Sequence, residues 1–456
     1  MQCELTIEAL GTGGDGVAWH DGVKLFVPGA LPGERVRVEL EQAAPGATRA
    51  RLLERLTDSH YRATPACEYF GDCGGCVAQH MAAKPYGDWK IDVIRDALAH
   101  RGLTEVAIAP LITSPPASRR RVRFAVTRRH GAPEGGVALG FRRRGSDEII
   151  AIERCAVLLP ALEALLQPLR GLAAKLGMAE ISLTQAHQGT DAILHGLDAP
   201  PALRMREMLA AFADSHGIQR LSVESPPADR GGKGAAGRSA GKRKRRQGAQ
   251  VLETIAQSSV VRVCFAGAWV DFPHGAFLQP TAAGEAAIQR LVRDGLGLAE
   301  LTAGKRAVQI ADLYAGLGGI GFALATSGGA AAPRCQVAMF EGDAAMVGAA
   351  RTAAGQADLM VTAEERDLAR RPLSVAELKA YDAVIFDPPR AGAREQAEAL
   401  AASGVARIAA VSCNAASFAR DARILIDGGY RMQMLTPIDQ FLWSSHVELV
   451  AIFERE

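Results

Sequence analysis

Hydrophobic and polar positions change their period twice along this chain. Over residues 1–60, short apolar stretches alternate with turn signals. Gly11-Thr12-Gly13-Gly14-Asp15-Gly16 precedes Val17-Ala18-Trp19, His20-Asp21-Gly22 precedes VKLFVPG, and PGERVRVEL follows. β-forming runs broken by Gly and Pro predict a small closed or sandwich-like β module here. Over 86–102 the period becomes helical: Trp89, Val93, Ile94, Ala97 and Leu98 share a face, and Gly102 stands where the helix should stop. RVRFAVTRR and VALGFRR read as strands of a mixed α/β region extending over 61–270. From about 271 onward, helical and strand patterns alternate: GEAAIQRLVRDGL, then AVQIADLY, QVAMFE, DAVIFD, RIAAVS and VELVAIFE. That order predicts an α/β domain over 271–456 with a mostly parallel, doubly wound sheet and ligands beyond the carboxyl ends of its strands. The helix 86–102 is expected to pack on this domain.

Composition changes the picture in three places. The stretch 225–250 is rich in Gly, Pro and basic residues with almost no apolar content, so it predicts a disordered insertion. It also carries charge: residues 230–250 hold eight Lys or Arg and no acid, leaving the rest of a chain of net charge +2 at −6. A second concentration, nine arginines against Glu134 alone, lies over 119–144. Clustered arginine suits phosphate neutralisation, although a solvated face or linker would look the same. No apolar run approaches the roughly 18 residues of a membrane span. The start lacks a basic, then apolar, leader, so the expectation is a cytoplasmic protein, taken as monomeric. Eight cysteines in such a chain point to metal or catalytic thiols rather than disulfides.

Candidate chemistry sits at strand ends. The apolar run through Tyr314 leads into Gly316-Leu317-Gly318-Gly319-Ile320-Gly321, and Glu341 follows 20 residues after Gly321 at the end of the next strand. Glycines let backbone approach a ligand, and the acid accepts from ribose hydroxyls. A dinucleotide and a nucleoside-based methyl donor fit equally well. Asp387-Pro388-Pro389-Arg390 follows AVIF, and the two prolines remove donors and leave carbonyls free to face a planar ligand. Cys413 follows RIAAVS, either as buried packing or as a thiolate favoured by the helical stretch after it. Glu448, within VELV, lies either on a solvated face or in a cleft with a raised pKa; spacing alone favours the solvated face.

Taken together, Asp312-Leu313-Tyr314-Ala315-Gly316, FDPPRAG, VSCNAASFARD and HVELVAIFER resemble the RNA uridine-5-methyltransferase family, as do the separations of 26 positions from Asp387 to Cys413 and 35 from Cys413 to Glu448. The likeness extends over almost the whole chain, because the amino end resembles a TRAM domain, an RNA-binding β module. The resemblance implies a Rossmann-like domain that binds S-adenosylmethionine through Gln279, Tyr314, Gly319, Glu341, Asp367 and Asp387. It also implies Cys413 as the nucleophile toward C6 of a uracil and Glu448 as the base at C5. Two positions depart from the family pattern. Gly319 stands where Asn is usual, and Gln279-Pro280-Thr281 replaces Gln-Val-Asn.

Cys67, Cys73 and Cys76 form C-x5-C-x2-C among glycines, with Cys155 a further 79 positions on. By residue type, zinc and a [4Fe–4S] cluster are both admissible. The resemblance implies the [4Fe–4S] cluster, with Cys155 as the distant fourth ligand, and makes 61–270 an iron–sulfur domain. It further implies RNA as partner, ribosomal 23S before transfer RNA, and no membrane. Two rival readings stay open at this level: a dinucleotide oxidoreductase and a non-catalytic RNA-binding iron–sulfur protein.

Overall fold

In the amino-terminal module, alternation places one side chain in two inside. The strands Gln2–Thr6, Ala9–Leu10, Gly16–His20, Val23–Val27, Arg35–Leu40 and Thr48–Arg55 form one six-stranded sheet. Leu5, Ala18, Leu25, Val27, Val36 and Val38 point into a shared core. The tight hairpin His20-Asp21-Gly22-Val23 has both central residues at positive φ, 49° and 77°, the turn that matches strand twist and that Asp-Gly favours.

The chain is a computed structural model that describes residues 1–41, 48–128, 136–226, 250–301, 307–326 and 334–455. It divides into two units: residues 1–119, 264–270 and 276–456, and residues 120–263 with 271–275. Of the segment 225–250 expected to lack structure, 227–249 lie outside the described residues.

The first unit contains, besides the amino-terminal module, an eight-stranded sheet. Its order is Val361–Glu365, Cys335–Glu341, Val308–Leu313, Ala383–Phe386, Arg407–Ser412, Glu448–Arg455, Tyr430–Asp439 and Ile112–Thr113. The first five strands are mutually parallel, as the alternating pattern predicts. Strand order reverses beside Val308–Leu313, which opens the ligand crevice there. One feature differs from expectation. The last strand runs antiparallel to both neighbours, and one of these, Tyr430–Asp439, is a strand the sequence pattern did not single out.

The helix expected over 86–102 spans Ala83–Ala99. It starts earlier because Pro85 lies in the first turn, where its missing N–H costs nothing. Gly102, at φ 71°, follows the end. Ile94 and Leu98 join the core of the eight-stranded sheet, while Tyr86 and Trp89 pack with Leu31 of the amino-terminal module.

The second unit is a seven-stranded sheet in the order Ile149–Ala151, Val137–Arg142, Arg121–Arg128, Glu180–Gln185, Thr190–His195, Arg220–Ser225 and Val251–Gln257, antiparallel except for the pair Thr190–His195 and Arg220–Ser225. Helices Leu166–Lys175 and Leu203–Ser215 pack on it. Among the described residues, no helix is long and apolar enough to cross a membrane.

Candidate active site

The glycine loop follows from its strand. Tyr314 follows the strand Val308–Leu313 at φ 61°, a conformation few side chains adopt. Gly318 has φ 85° and opens the helix Gly319–Ala325; a Cβ there would stand 2.7 Å from Met339 Cε. Asp312 is buried and its Oδ2 accepts from the Gly321 amide at 3.0 Å, pinning loop to strand. Burial first, and Asp387 second, push its carboxyl up to about 7.

Glu341 ends the next strand. Its Oε2 accepts from the Gly316 amide at 2.9 Å and its Oε1 from the Asp343 amide at 3.0 Å. Each oxygen keeps a lone pair for a hydroxyl donor. Asp367 lies beyond the third parallel strand, accepting from the amides of Ala369 and Arg370 at 3.1 and 3.3 Å. Burial above all pushes the Tyr314 phenol up to about 12, with Asp421, Glu395 and, least, Asp367 adding to it.

Both departures from the family pattern have local explanations. Thr281 caps the helix Ala282–Gly295, its Oγ1 accepting from the Gly284 amide at 3.0 Å, the service an asparagine would give. At Gly319 a Cβ would meet the Phe265 ring at 3.3 Å, and its carbonyl takes a hydrogen bond from Gln289 Nε2 at 2.9 Å. An aromatic side chain thus borders the space that a longer residue at 319 would need.

The reacting groups assemble at the carboxyl edge of the sheet. Arg407–Ser412 pairs antiparallel with Glu448–Arg455 up to Ser412 opposite Leu449, so Cys413 and Glu448 come next at the end of the same ladder. Glu448 is 3% exposed, which overturns the solvated face that spacing favours. Its strand lies inside the sheet with both faces covered, so period-2 alternation has no solvent side to report. Burial, then the nearby Asp387, raise its carboxyl well above the ordinary range. The Cys413 thiol is raised as well, by burial first and then by Glu448 and Asp387, with Arg390 pulling the other way. The helix Ala415–Asp427 begins two residues after Cys413.

Sequence reasoning missed Gln440. Its Nε2 donates to Glu448 Oε2 at 2.9 Å and to Gln279 Oε1 at 2.7 Å, and Gln279 Nε2 donates to Asp387 Oδ2 at 3.3 Å. Asp387 is pushed up to about 7, chiefly by burial, with the Gln279 bond opposing. Next to Gln440, Asp439 is fully buried and accepts from Lys90 Nζ at 2.9 Å and from the Tyr86 hydroxyl at 2.5 Å. No local pattern signals these partners, which lie about 350 positions apart.

The cysteine loop belongs to the first unit and Cys155 to the second. The Gly75 amide points at Cys73 Sγ at 3.4 Å, and Cys67 helps raise the Cys73 thiol, although burial is the main cause. Among the described residues, no three or more His, Cys, Asp or Glu side chains are grouped so as to hold a metal ion. The arginine-rich strands are less bare than their composition suggests. Arg123, Arg142 and Arg143 bond Glu180, Asp147 and Glu148, acids that lie outside the stretch 119–144.

A family model described as TRAM domain matches residues 2–53, and one described as tRNA (Uracil-5-)-methyltransferase matches 267–456. The chain is 38% identical to an uncharacterized RNA methyltransferase of Mesorhizobium japonicum, over 100% of this chain and 98% of that one. It is 32% identical to a 23S rRNA (uracil(1939)-C(5))-methyltransferase of Shewanella denitrificans, over 97% and 93%. Among solved structures, the tRNA (uracil-54, C5)-methyltransferase of Pyrococcus abyssi, in complex with S-adenosyl-L-homocysteine, has the same fold with a TM-score of 0.71 at 20% identity, covering 99% of this chain and 100% of that one. With these matches along its whole length, the chain belongs to the RNA uracil-5-methyltransferase family and carries a TRAM domain at its amino-terminal end.

Proposed function

We propose that this protein methylates C5 of a uridine in 23S ribosomal RNA, with Cys413 as nucleophile and Glu448 as base. The observation that carries this reading is the meeting of Cys413 and Glu448 at the end of one antiparallel ladder beside Asp387. S-adenosylmethionine would supply a methyl group made electrophilic by its sulfonium. Gln279, Tyr314, Gly319, Glu341, Asp367 and Asp387 would hold it; the free lone pairs of Glu341 and the open space beside Gly316 suit a ribose and its adjoining chain.

C5 of uracil is a weak nucleophile. Cys413, its proton lost to solvent, adds to C6 and sends electron density to the C4 carbonyl oxygen; the enolate carbon C5 takes the methyl group, leaving the donor's sulfur as a neutral thioether. Glu448 then removes the C5 proton; the C5=C6 bond re-forms and the thiolate leaves. A base with a raised pKa suits this step, because it binds the proton firmly once it has it. The target base must first leave its stack. The 23S assignment draws on the Shewanella relative.

Two measurements test the reading. Calorimetry should show S-adenosylmethionine binding and none for a nicotinamide dinucleotide. Nucleoside mapping of ribosomal and transfer RNA from a deletion strain should reveal one missing 5-methyluridine in 23S RNA. A gap in transfer RNA instead would reject the ribosomal assignment.

We further propose that Cys67, Cys73, Cys76 and Cys155 bind a [4Fe–4S] cluster, supported by four thiols of the right type and by the Gly75 amide directed at Cys73 Sγ. Its role would be structural or RNA-positioning, since methyl transfer moves no electron. Protein purified without oxygen should be brown with about four iron atoms per chain. Stoichiometric zinc and no visible absorbance would remove the cluster. Cys73→Ser should lower iron content and solubility more than donor binding.

A further inference from the structure

Gln440 sits between the base and the donor side of the site, and its geometry is constrained on every side. It is 1% exposed. Its Nε2 spends both protons, one on Glu448 Oε2 and one on Gln279 Oε1, and Gln279 passes a third N–H to Asp387. Donors therefore run outward from the two amides to both buried carboxyls. Turning the Gln440 amide over would set its oxygen against two acceptors, so this orientation holds while Glu448 is ionised. Gln440 Oε1 is buried and has no hydrogen-bond partner. It lies against Gly284, where a Cβ would stand 2.7 Å from Oε1 and 2.9 Å from Gln440 Cβ. Gly284 thus makes room for this amide in the first turn of the helix Ala282–Gly295.

We propose that Gln440 is a positioning residue whose amide aims Glu448 for C5 deprotonation, favours its ionised form, and ties it to Gln279 and Asp387 on the donor side. This deepens, and rests on, the Cys413–Glu448 reading above. Cys413 and Asp387 face Glu448; burial first, and then Asp387, work against its charge, and the Gln440 amide is what favours it. Among the described residues, Glu448 Oε1 makes no hydrogen bond, which leaves it free for the substrate proton.

Gln440→Met keeps length and removes both donors. The test is the decay of the covalent protein–RNA adduct after a pulse of methyl donor, followed from pH 5.5 to 9 on ribosomal RNA from a deletion strain. Glu448 acts when ionised, so elimination rises with pH through its pKa. Losing the amide raises that pKa further and moves the acid limb to higher pH. A shift of about one unit slows decay roughly tenfold on the acid side, with recovery to within about twofold at the alkaline plateau. Gly284→Ala, whose Cβ presses on the amide and also, at 2.9 Å, on the Thr281 Oγ1 cap, should move the limb the same way, while Thr281→Ala, which loses the cap alone, should not; the pair carries the test if Gln440→Met does not fold. An acid limb that stays put, with or without a uniform loss of rate, would overturn the role of Gln440. If wild-type protein forms no adduct, or Cys413→Ala still yields 5-methyluridine, the underlying reading fails instead.

Discussion

Glu448→Gln should trap the reaction half-way, as a covalent protein–RNA adduct that survives denaturing electrophoresis and carries label from the methyl donor. Glutamine keeps the shape of the side chain but cannot take the C5 proton. Addition and methyl transfer proceed, elimination stalls, and turnover falls by about a thousandfold, within the range for loss of a general base. Cys413→Ala should give neither product nor adduct, since the enolate never forms, and the double mutant should lose the adduct too. Normal turnover by Glu448→Gln would dismiss the glutamate as base. In the wild type, turnover should climb from acid toward alkaline pH. Both the Glu448 carboxyl and the Cys413 thiol are raised, and both act in their deprotonated forms.

The largest effect on stability should come from Lys90→Met. Lys90 and Asp439 form an ion pair whose side chains are 1% and 0% exposed, and Lys90 also donates to the His446 carbonyl. Burial pulls the Lys90 pKa down while Asp439 pulls it up. Removing the lysine leaves the buried carboxylate without its counter-charge, with only the Tyr86 hydroxyl and the Phe441 amide as donors, and should cost about 3–5 kcal/mol, measured by denaturant unfolding. Lys90→Met combined with Asp439→Leu should recover only part of that loss, because the unpaired charge is gone but the Tyr86 hydroxyl and the Phe441 amide lose their acceptor. A loss below about 1 kcal/mol for the single variant would mean that water reaches Asp439. The pair anchors the turn between Gln440 and Glu448, so the same substitution should also disorganise the base.

The glycine loop, the strand–helix alternation and the four motifs were legible in the chain because each is local. A strand needs only alternate or continuous apolar residues, a hairpin only Asp21-Gly22, and a nucleotide loop only small residues after a strand. The β character of the amino-terminal module and the parallel strands after residue 307 follow from such signals. The direction of the last strand does not, since an apolar run pairs equally well either way. That direction decides the chemistry: only the antiparallel arrangement brings the start of Glu448–Arg455 beside the end of Arg407–Ser412. Burial of Glu448 likewise depends on Tyr430–Asp439 covering its other edge and on helices covering its faces. Gln440 and the Lys90–Asp439 pair gain their meaning from neighbours that the fold supplies from far along the chain. Period and composition fixed which segments fold and where ligands enter. Tertiary packing alone decided which polar groups left water, and with them the charge states on which the proposed reaction depends.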